Sequence, residues 1–105
     1  MPAREKDPDH WLYRLDADEW LHAAEGELHR AEAALLMKQV RAGVTQARRA
    51  AGMAWNAVLV ATRDETGYGR SYMDHLQALA RDATAPSLVK EAARALLAAP
   101  LVAAV

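Results

Sequence analysis

Apolar side chains recur at alternating three- and four-residue steps through the first third of the chain. The positions are Leu21, Ala24, Leu28, Ala31 and Leu35. This spacing puts them on one stripe of an α-helix. Asp16 precedes the stripe, and Glu19 three residues later completes a capping-box-like pair in which an acid replaces the usual serine. The pattern predicts a first helix from Ala17 to about Arg41.

A second stripe follows, and it is built from alanine. The positions are Ala47, Ala50, Ala54, Ala57 and Ala61. Gly43 is a natural terminator for the first helix, and Thr45 can cap the second. Because small side chains let two helix axes approach toward the short end of the usual ~8–10 Å range, we expect a tightly packed antiparallel hairpin. Gly52 inside the second helix costs about 1 kcal/mol relative to alanine, which indicates a close contact there.

Two shorter helices are predicted in the last third of the chain. Residues 63–69 hold acids, a threonine and two glycines, which is the composition of a loop. Ser71 and Asp74 form a second capping pair ahead of helix three. The apolar stripe of that helix is Tyr72, Leu76 and Leu79. Pro86 fits the first turn of a fourth helix, whose apolar stripe is Leu88, Ala92, Ala95, Leu96 and Ala99.

These segments predict an all-α protein, an up-down four-helix bundle with room for a short fifth helix around Trp11. No strand-length run of β-branched residues interrupts the helical patterns. Residues 1–10 hold two prolines and alternating charges, which predicts a flexible N-terminal arm, and residues 11–105 are predicted to form a single domain. The apolar tail after Pro100 either folds back onto the bundle or joins a subunit interface, and we favour a homodimer.

Composition narrows the class of protein. The chain has 105 residues, a formal net charge of −1 and no cysteine. One hydrophobic core is feasible at this length, disulfides and thiolate metal sites are excluded, and binding of duplex DNA by bulk charge is disfavoured. The N-terminus lacks the apolar core of a secretion signal, and the longest apolar run, broken by Pro100, is too short to cross a bilayer. We therefore expect a cytoplasmic protein with no membrane partner.

Acids and histidines on one side of the first helix raise the question of a metal site. Glu19 and His22 have the spacing used by di-iron bundles, but such sites need a second pair and further carboxylates from facing helices. The second helix contains no acid, so a solvated polar face is the simpler interpretation. The chain also lacks a Walker-type glycine loop, a nucleophile elbow and a dinucleotide fingerprint. We predict neither a metal nor a cofactor.

The segment from Gly67 to Leu79 holds the residues that best fit a catalytic or binding site. A glycine pair delivers Arg70 and Ser71 to the start of the third helix, and His75 follows. An arginine can hold a phosphate, and a histidine can exchange protons with a ribose hydroxyl or a leaving oxygen. Arg70, His75 and Ser71 are therefore the candidate catalytic residues. The alternative is a histidine packed at the end of the bundle and an arginine in solvent.

Helix geometry limits how these residues can meet. Within a regular helix, Arg70 and His75 would diverge by about 140° around the axis. They converge only if Arg70 lies in or before the helix cap, or if a second subunit completes the site. Up-down topology brings the ends of neighbouring helices to this place, and the candidate substrate-binding residues there are Arg63, Asn56 and His22.

The order of these motifs resembles the HEPN domains, small helical bundles named for nucleotide binding in higher eukaryotes and prokaryotes. Arg70, a polar residue at Ser71 and then His75 match the Arg-polar-x-x-x-His signature of the family. Residues 46–60 resemble its second long helix. The first helix is similar to the family pattern Trp-Leu-x-x-Ala-x-x-x-Leu-x-x-Ala, seen here as Trp20, Leu21, Ala24, Leu28 and Ala31.

The resemblance implies a dimer in which Arg70 and His75 of both subunits face a shared cleft. Catalytic members are metal-independent ribonucleases, often toxins, whereas others bind nucleotides or are partners of a separate nucleotidyltransferase. Our first hypothesis is a dimeric HEPN-like module that binds RNA or a nucleotide at this cleft, and whether it is also a metal-independent ribonuclease is left open. The second hypothesis is a non-catalytic helical adaptor that docks a partner protein such as a nucleotidyltransferase.

Overall fold

Four helices make up the fold in the computed structural model, which describes residues 6–62 and 68–100. They are α1 (Ala17–Leu36), α2 (Val40–Thr62), α3 (Tyr72–Arg81) and α4 (Ser87–Ala98). No strand occurs among the described residues, so the predicted all-α four-helix bundle is confirmed. No helix in the same ranges is both long and apolar enough to span a membrane.

Helix α2 is the central element, because it packs against each of the other three helices. One core cluster joins α1 to α2 through Trp20, Ala24, Met53 and Ala57. A second cluster joins α3 to α4 through Leu76, Leu79 and Ala93, with the Trp55 side chain of α2 packed against it. The predicted antiparallel pairing of the two long helices thus provides the frame on which the shorter pair is mounted.

The turn between α1 and α2 differs from the predicted one. Helix α1 ends at Leu36 instead of running to Arg41, and Lys38, not a glycine, takes the left-handed conformation, at φ 60°. The N–H of Lys38 donates to the carbonyl of Leu35 and that of Gln39 to the carbonyl of Ala34, which is the Schellman arrangement.

Gly43, predicted to end the first helix, lies inside α2 instead. It is buried where the two long helices meet, and a Cβ there would lie 2.6 Å from the Leu35 side chain. Its role is therefore to let α1 and α2 approach closely, and the predicted cap at Thr45 is wrong because that residue also lies inside α2.

The leucines of the α1 stripe do not form its buried face. Leu21, Leu28 and Leu35 are 45–47% exposed. The buried positions of α1 are Trp20, Ala24, Ala31 and Ala34. The side of α1 that packs on α2 therefore carries Trp20 and these alanines. The leucines consequently border the contact and remain half in solvent.

Residues 6–15 form a folded segment ahead of α1. Residues 11–14 form a hydrogen-bonded turn, not the fifth helix for which the pattern left room. Nδ1 of His10 accepts the backbone N–H of Leu12 at 3.0 Å, and the N–H of Asp7 donates to the Tyr13 carbonyl at 2.8 Å. Leu12 and Tyr13 are buried against Leu59 of α2. The predicted arm is therefore in contact with the domain from residue 6 onward, since Lys6 pairs with Glu19 of α1. Residues 1–5 and the apolar tail 101–105 lie outside the described residues.

The last two helices lie where they are predicted, although Pro86 is the N-cap of α4 and not a residue of its first turn, and the buried side chains differ in part from the predicted pattern. Ser71 caps α3 with Asp74 in a full capping box, as predicted. In α4 the buried stripe is shifted by one residue, because Ala93 is buried whereas Leu88 is 78% exposed. The α4 side chains that pack with Ala93 in the cluster shared with α3 are Val89, Leu96 and Leu97.

Candidate functional site

The start of α3 places Arg70 outside the regular helix, which is the geometry that the site requires. Ser71 is the N-cap, with extended backbone at φ −84° and ψ 157°, and its hydroxyl oxygen accepts the Asp74 N–H at 3.0 Å. Arg70 precedes the cap and is exposed. Gly69 before it has φ +67°, a conformation that side chains rarely adopt.

His75 lies one turn into α3 and is completely buried. Nδ1 of its ring lies 2.8 Å from the Tyr68 carbonyl oxygen, and Nε2 lies 2.6 Å from Oδ1 of Asn56 on α2. The Trp11 and Tyr72 rings complete the surroundings, with centroids 6.1 Å and 6.4 Å from that of His75. The histidine therefore ties the N-terminal segment, α2 and α3 together.

Both hydrogen-bond partners of the His75 ring are oxygen atoms, which links the charge of the ring to the orientation of the Asn56 amide. A carbonyl oxygen only accepts, so Nδ1 carries a proton and donates to Tyr68. A doubly protonated ring also donates from Nε2 to Oδ1 of Asn56, whereas a neutral ring requires the amide to turn and donate from Nδ2.

Burial lowers the pKa of His75, against smaller opposing effects of the Tyr68 hydrogen bond and the nearby Asp74 carboxylate. Burial thus favours the neutral ring, whereas Oδ1 facing Nε2 fits the charged ring. The two ends of an amide exchange by a 180° rotation at little steric cost, so the Asn56 amide can turn to donate to the neutral ring.

Tyr68 is itself fixed from the other side. Its hydroxyl donates to the Asp82 carboxylate at the end of α3, and Asp82 also accepts from the backbone and hydroxyl of Thr84. Hydrogen bonds from Thr84 and Tyr68 lower the pKa of Asp82 to about 2. The carbonyl that holds His75 thus belongs to a residue anchored at both ends of α3.

An open pocket of about 350 Å³ lies in front of Asn56, between the N-terminal segment and the start of α3. Its lining combines two guanidinium groups with aromatic rings and small polar groups. The residues are Trp11, Arg14, Trp20, Asn56, Arg70, Ser71 and Tyr72. Cζ of Arg70 lies 5.8 Å from the centre of the Trp11 ring, and Cζ of Arg14 lies 5.3 Å from that of Trp20. Such a pocket can hold an anion on the guanidinium groups and a planar group against an indole.

The close contact predicted at Gly52 shapes this pocket. A Cβ at Gly52 would overlap the ring of Tyr72, the first residue of α3. The missing side chain lets α3 start directly against α2, so the contact expected from the glycine is confirmed. It brings Tyr72 and Asn56 into the same pocket wall.

The structure brings together only part of the predicted site. Arg70, Ser71 and Asn56 line the pocket, whereas His75 lies behind Asn56 and contributes no atom to the lining. His22 lies in a separate pocket with Asp18 and Glu19. The remaining candidate, Arg63, is outside the described residues.

Arg14 and Trp11 line the pocket but were not predicted as site residues. They come from a segment with no helical period, and they reach the pocket because the 11–14 turn is anchored by Leu12. Trp20 Nε1 donates to the Leu12 carbonyl at 2.8 Å and fixes the turn on α1. The only local signal in the sequence is an arginine three residues after a tryptophan, which is too common to indicate a site.

Within residues 6–62 and 68–100, no group of three or more metal-ligating side chains comes together. Glu19 of the Glu19–His22 pair is engaged elsewhere, since it completes the α1 capping box and pairs with Lys6 at 2.7 Å.

Comparison of the chain with family models, with curated proteins and with solved structures found no match.

Proposed function

We propose that this chain is a HEPN-like module that binds RNA or a nucleotide at the pocket beside Arg70. The observation that carries the proposal is the lining itself, in which an exposed guanidinium and the Asn56 amide face the same space as the half-buried Trp11 indole. Guanidinium groups recognise phosphate oxygens, and indoles offer a flat apolar surface to a base. The volume of about 350 Å³ lies at the lower end of the range for small-ligand pockets and suits a single nucleotide unit.

In this proposal His75 is a positioning residue that holds Asn56. Its Nε2 is occupied by Asn56, and its side chain is buried, so it does not meet a ligand in the pocket directly. The geometry therefore supports binding better than it supports proton transfer in a ribonuclease reaction. RNA cleavage would require Asn56 to turn aside, or a second subunit to bring a residue to the ligand.

The experiment is a binding titration with a short labelled single-stranded RNA and with adenosine monophosphate. We expect Arg70→Ala to weaken binding about tenfold or more, because it removes a charge-assisted contact. Arg81→Ala is the matched control, since Arg81 is an exposed arginine at the far end of α3. Failure of the wild-type protein to bind either ligand contradicts the proposal.

Incubation of labelled RNA with a chelator separates binding from cleavage. Cleavage that is lost in both Arg70→Ala and His75→Ala would assign a metal-independent ribonuclease. Binding without cleavage would leave the positioning role of His75 as proposed.

A second surface favours assembly, and we propose that a second copy of the chain covers it. Leu21, Leu28 and Leu35 recur every seven residues along α1 and are about half exposed. Beside them lies a groove of about 380 Å³, floored by alanines of α1 and α2 and closed by Leu96 of α4. Leucines next to an alanine-floored groove are self-complementary, because the leucines of one copy fit the groove of another across a two-fold axis.

Mass measurement in solution at micromolar concentration tests this assembly. We expect a dimer that Leu28→Glu dissociates. Leu88→Glu is the control, because Leu88 is exposed on α4 outside the groove. A strictly monomeric wild-type protein would overturn the homodimer and would favour the second candidate function, an adaptor whose apolar groove docks a different protein such as a nucleotidyltransferase.

A further inference from the structure

A second arginine shares the pocket with Arg70. Arg14 belongs to the 11–14 turn, where its backbone N–H donates to the His10 carbonyl at 3.1 Å. Its guanidinium lies over Trp20, which is buried, and Arg70 lies over Trp11 in the same way. Each indole supports one guanidinium group, so the two positive charges are held in the lining of one pocket.

Among the described residues, these two guanidinium groups form no ion pair. The ion pairs of the described residues join Lys6 to Glu19, and both Arg30 and Arg49 to Glu27. Within the described ranges, neither Arg14 nor Arg70 has a carboxylate oxygen within 4.0 Å. The acid beside the pocket, Asp74, is engaged in the α3 capping box, where it accepts the Ser71 N–H at 3.3 Å. The pocket thus concentrates positive charge on a chain whose net charge is −1.

We infer that the pocket takes a nucleotide by its terminal phosphate monoester, with Arg14 and Arg70 sharing the two negative charges, an inference that rests on the proposed function. A phosphate monoester carries about −1.5 to −2 charge at neutral pH. A phosphodiester inside an RNA strand carries a single charge and would leave one arginine unmatched. The described lining has no further lysine or arginine that would follow a longer strand. The phosphate belongs either to a free nucleoside monophosphate or to the 5′-phosphorylated end of an RNA.

The test compares ligands that differ in one group. Titrations at constant ionic strength use adenosine monophosphate, adenosine, inorganic phosphate, and a short RNA with or without a 5′-phosphate. We expect adenosine monophosphate to bind at least about tenfold more tightly than adenosine and than inorganic phosphate. Equal affinity for adenosine monophosphate and adenosine overturns the role of the phosphate, and equal affinity for inorganic phosphate overturns the nucleotide class.

Substitutions at position 14 measure the contribution of Arg14 to phosphate binding. We expect Arg14→Ala to weaken binding of adenosine monophosphate about tenfold, with little change for adenosine and a smaller salt dependence. Arg14→Lys should restore part of the affinity, and Arg81→Ala should match the wild type. If Arg70→Ala loses the ligand but Arg14→Ala does not, the inference fails while the proposed function stands. If the wild-type protein binds neither nucleotide nor RNA, both fail.

The comparison of RNA with and without a 5′-phosphate identifies the source of the phosphate. A preference for the 5′-phosphorylated RNA over its 5′-hydroxyl form assigns an RNA end. Tight binding of adenosine monophosphate with no such preference assigns the free nucleotide.

Discussion

Nε2 of His75 lies 2.6 Å from Oδ1 of Asn56, and this contact joins α3 to α2 directly behind the pocket. Both side chains are buried, with Asn56 1% exposed and His75 fully covered. The histidine lies too deep to meet a ligand, but it fixes the residue that does line the pocket. The Arg–His spacing that defines the predicted site therefore separates a surface group, Arg70, from a buried histidine that holds Asn56.

Removal of the His75 ring should cost stability as well as function. His75→Ala loses two hydrogen bonds and leaves Asn56 and the Tyr68 carbonyl without their partner. We expect the free energy of unfolding to fall by roughly 2–4 kcal/mol, measured by urea denaturation. His22→Ala, at an exposed position of α1, is the control and should change it little. An unchanged urea midpoint for His75→Ala would contradict the supporting role of the ring.

The pH dependence of stability should report His75. Burial lowers its pKa in the folded protein, so the unfolded chain binds more protons as the pH falls below about 6.5. The contribution of His75 is therefore fully present above the unfolded pKa and is lost as the pH falls toward the folded value. We expect wild-type stability to decrease between pH 7 and pH 5 by at most about 1.4 kcal/mol per pH unit from this group. His75→Gln should flatten the curve, and an identical slope in both proteins would show that His75 does not titrate differently on folding.

Two glycines allow a matched test of close packing. Gly52→Ala would drive a Cβ into the Tyr72 ring, whereas at Gly26 the nearest atom to a new Cβ is the flexible end of Arg30, 3.3 Å away. We expect Gly52→Ala to destabilise the fold by roughly 1–3 kcal/mol and Gly26→Ala to stabilise it by up to about 1 kcal/mol. Thermal melts of the two variants should therefore shift in opposite directions. A shift to higher temperature in both would mean that α2 and α3 are not in contact at Gly52.

The left-handed backbone at Lys38 provides a prediction of increased stability. A side chain at φ 60° costs about 1 kcal/mol that glycine avoids. We expect Lys38→Gly to raise the melting temperature, with Gln39→Gly as a control that should lower it or leave it unchanged. A lower melting temperature for Lys38→Gly would contradict the Schellman turn between α1 and α2.

The parts of the fold that depend on residues a few positions apart in the sequence were predictable. The capping boxes at Asp16 and Ser71 are local signals, and they gave the starts of α1 and α3 correctly. The turn at Lys38 was missed, because a left-handed lysine carries no sequence signal and Gly43 offered a stronger one. The half-exposed leucines were missed for a different reason. Periodicity identifies an apolar stripe, but only the alanine-lined packing of α2 decides which edge of the stripe is buried.

The candidate site was predictable only for residues that lie close together in the sequence or at helix ends that the topology brings together. Arg70, Ser71 and His75 lie within one helix start, and Asn56 followed from the up-down topology. Whether His75 would face the pocket or the core depended on the position of Tyr68 and Asn56, which no spacing encodes. Arg14 depended on how a turn of irregular sequence docks on Trp20.

The binding pocket is tested most directly by a two-dimensional ¹H–¹⁵N spectrum recorded during titration with adenosine monophosphate. The chain has three tryptophans, so three indole N–H signals report on it. Trp11 and Trp20 line the pocket, whereas Trp55 does not. We expect the signals of Trp11 and Trp20 to move with added ligand in the wild-type protein and to stay fixed in Arg70→Ala, while that of Trp55 stays fixed in both. Signals that do not move in the wild-type protein, or movement of Trp55 alone, would contradict a nucleotide site beside Arg70.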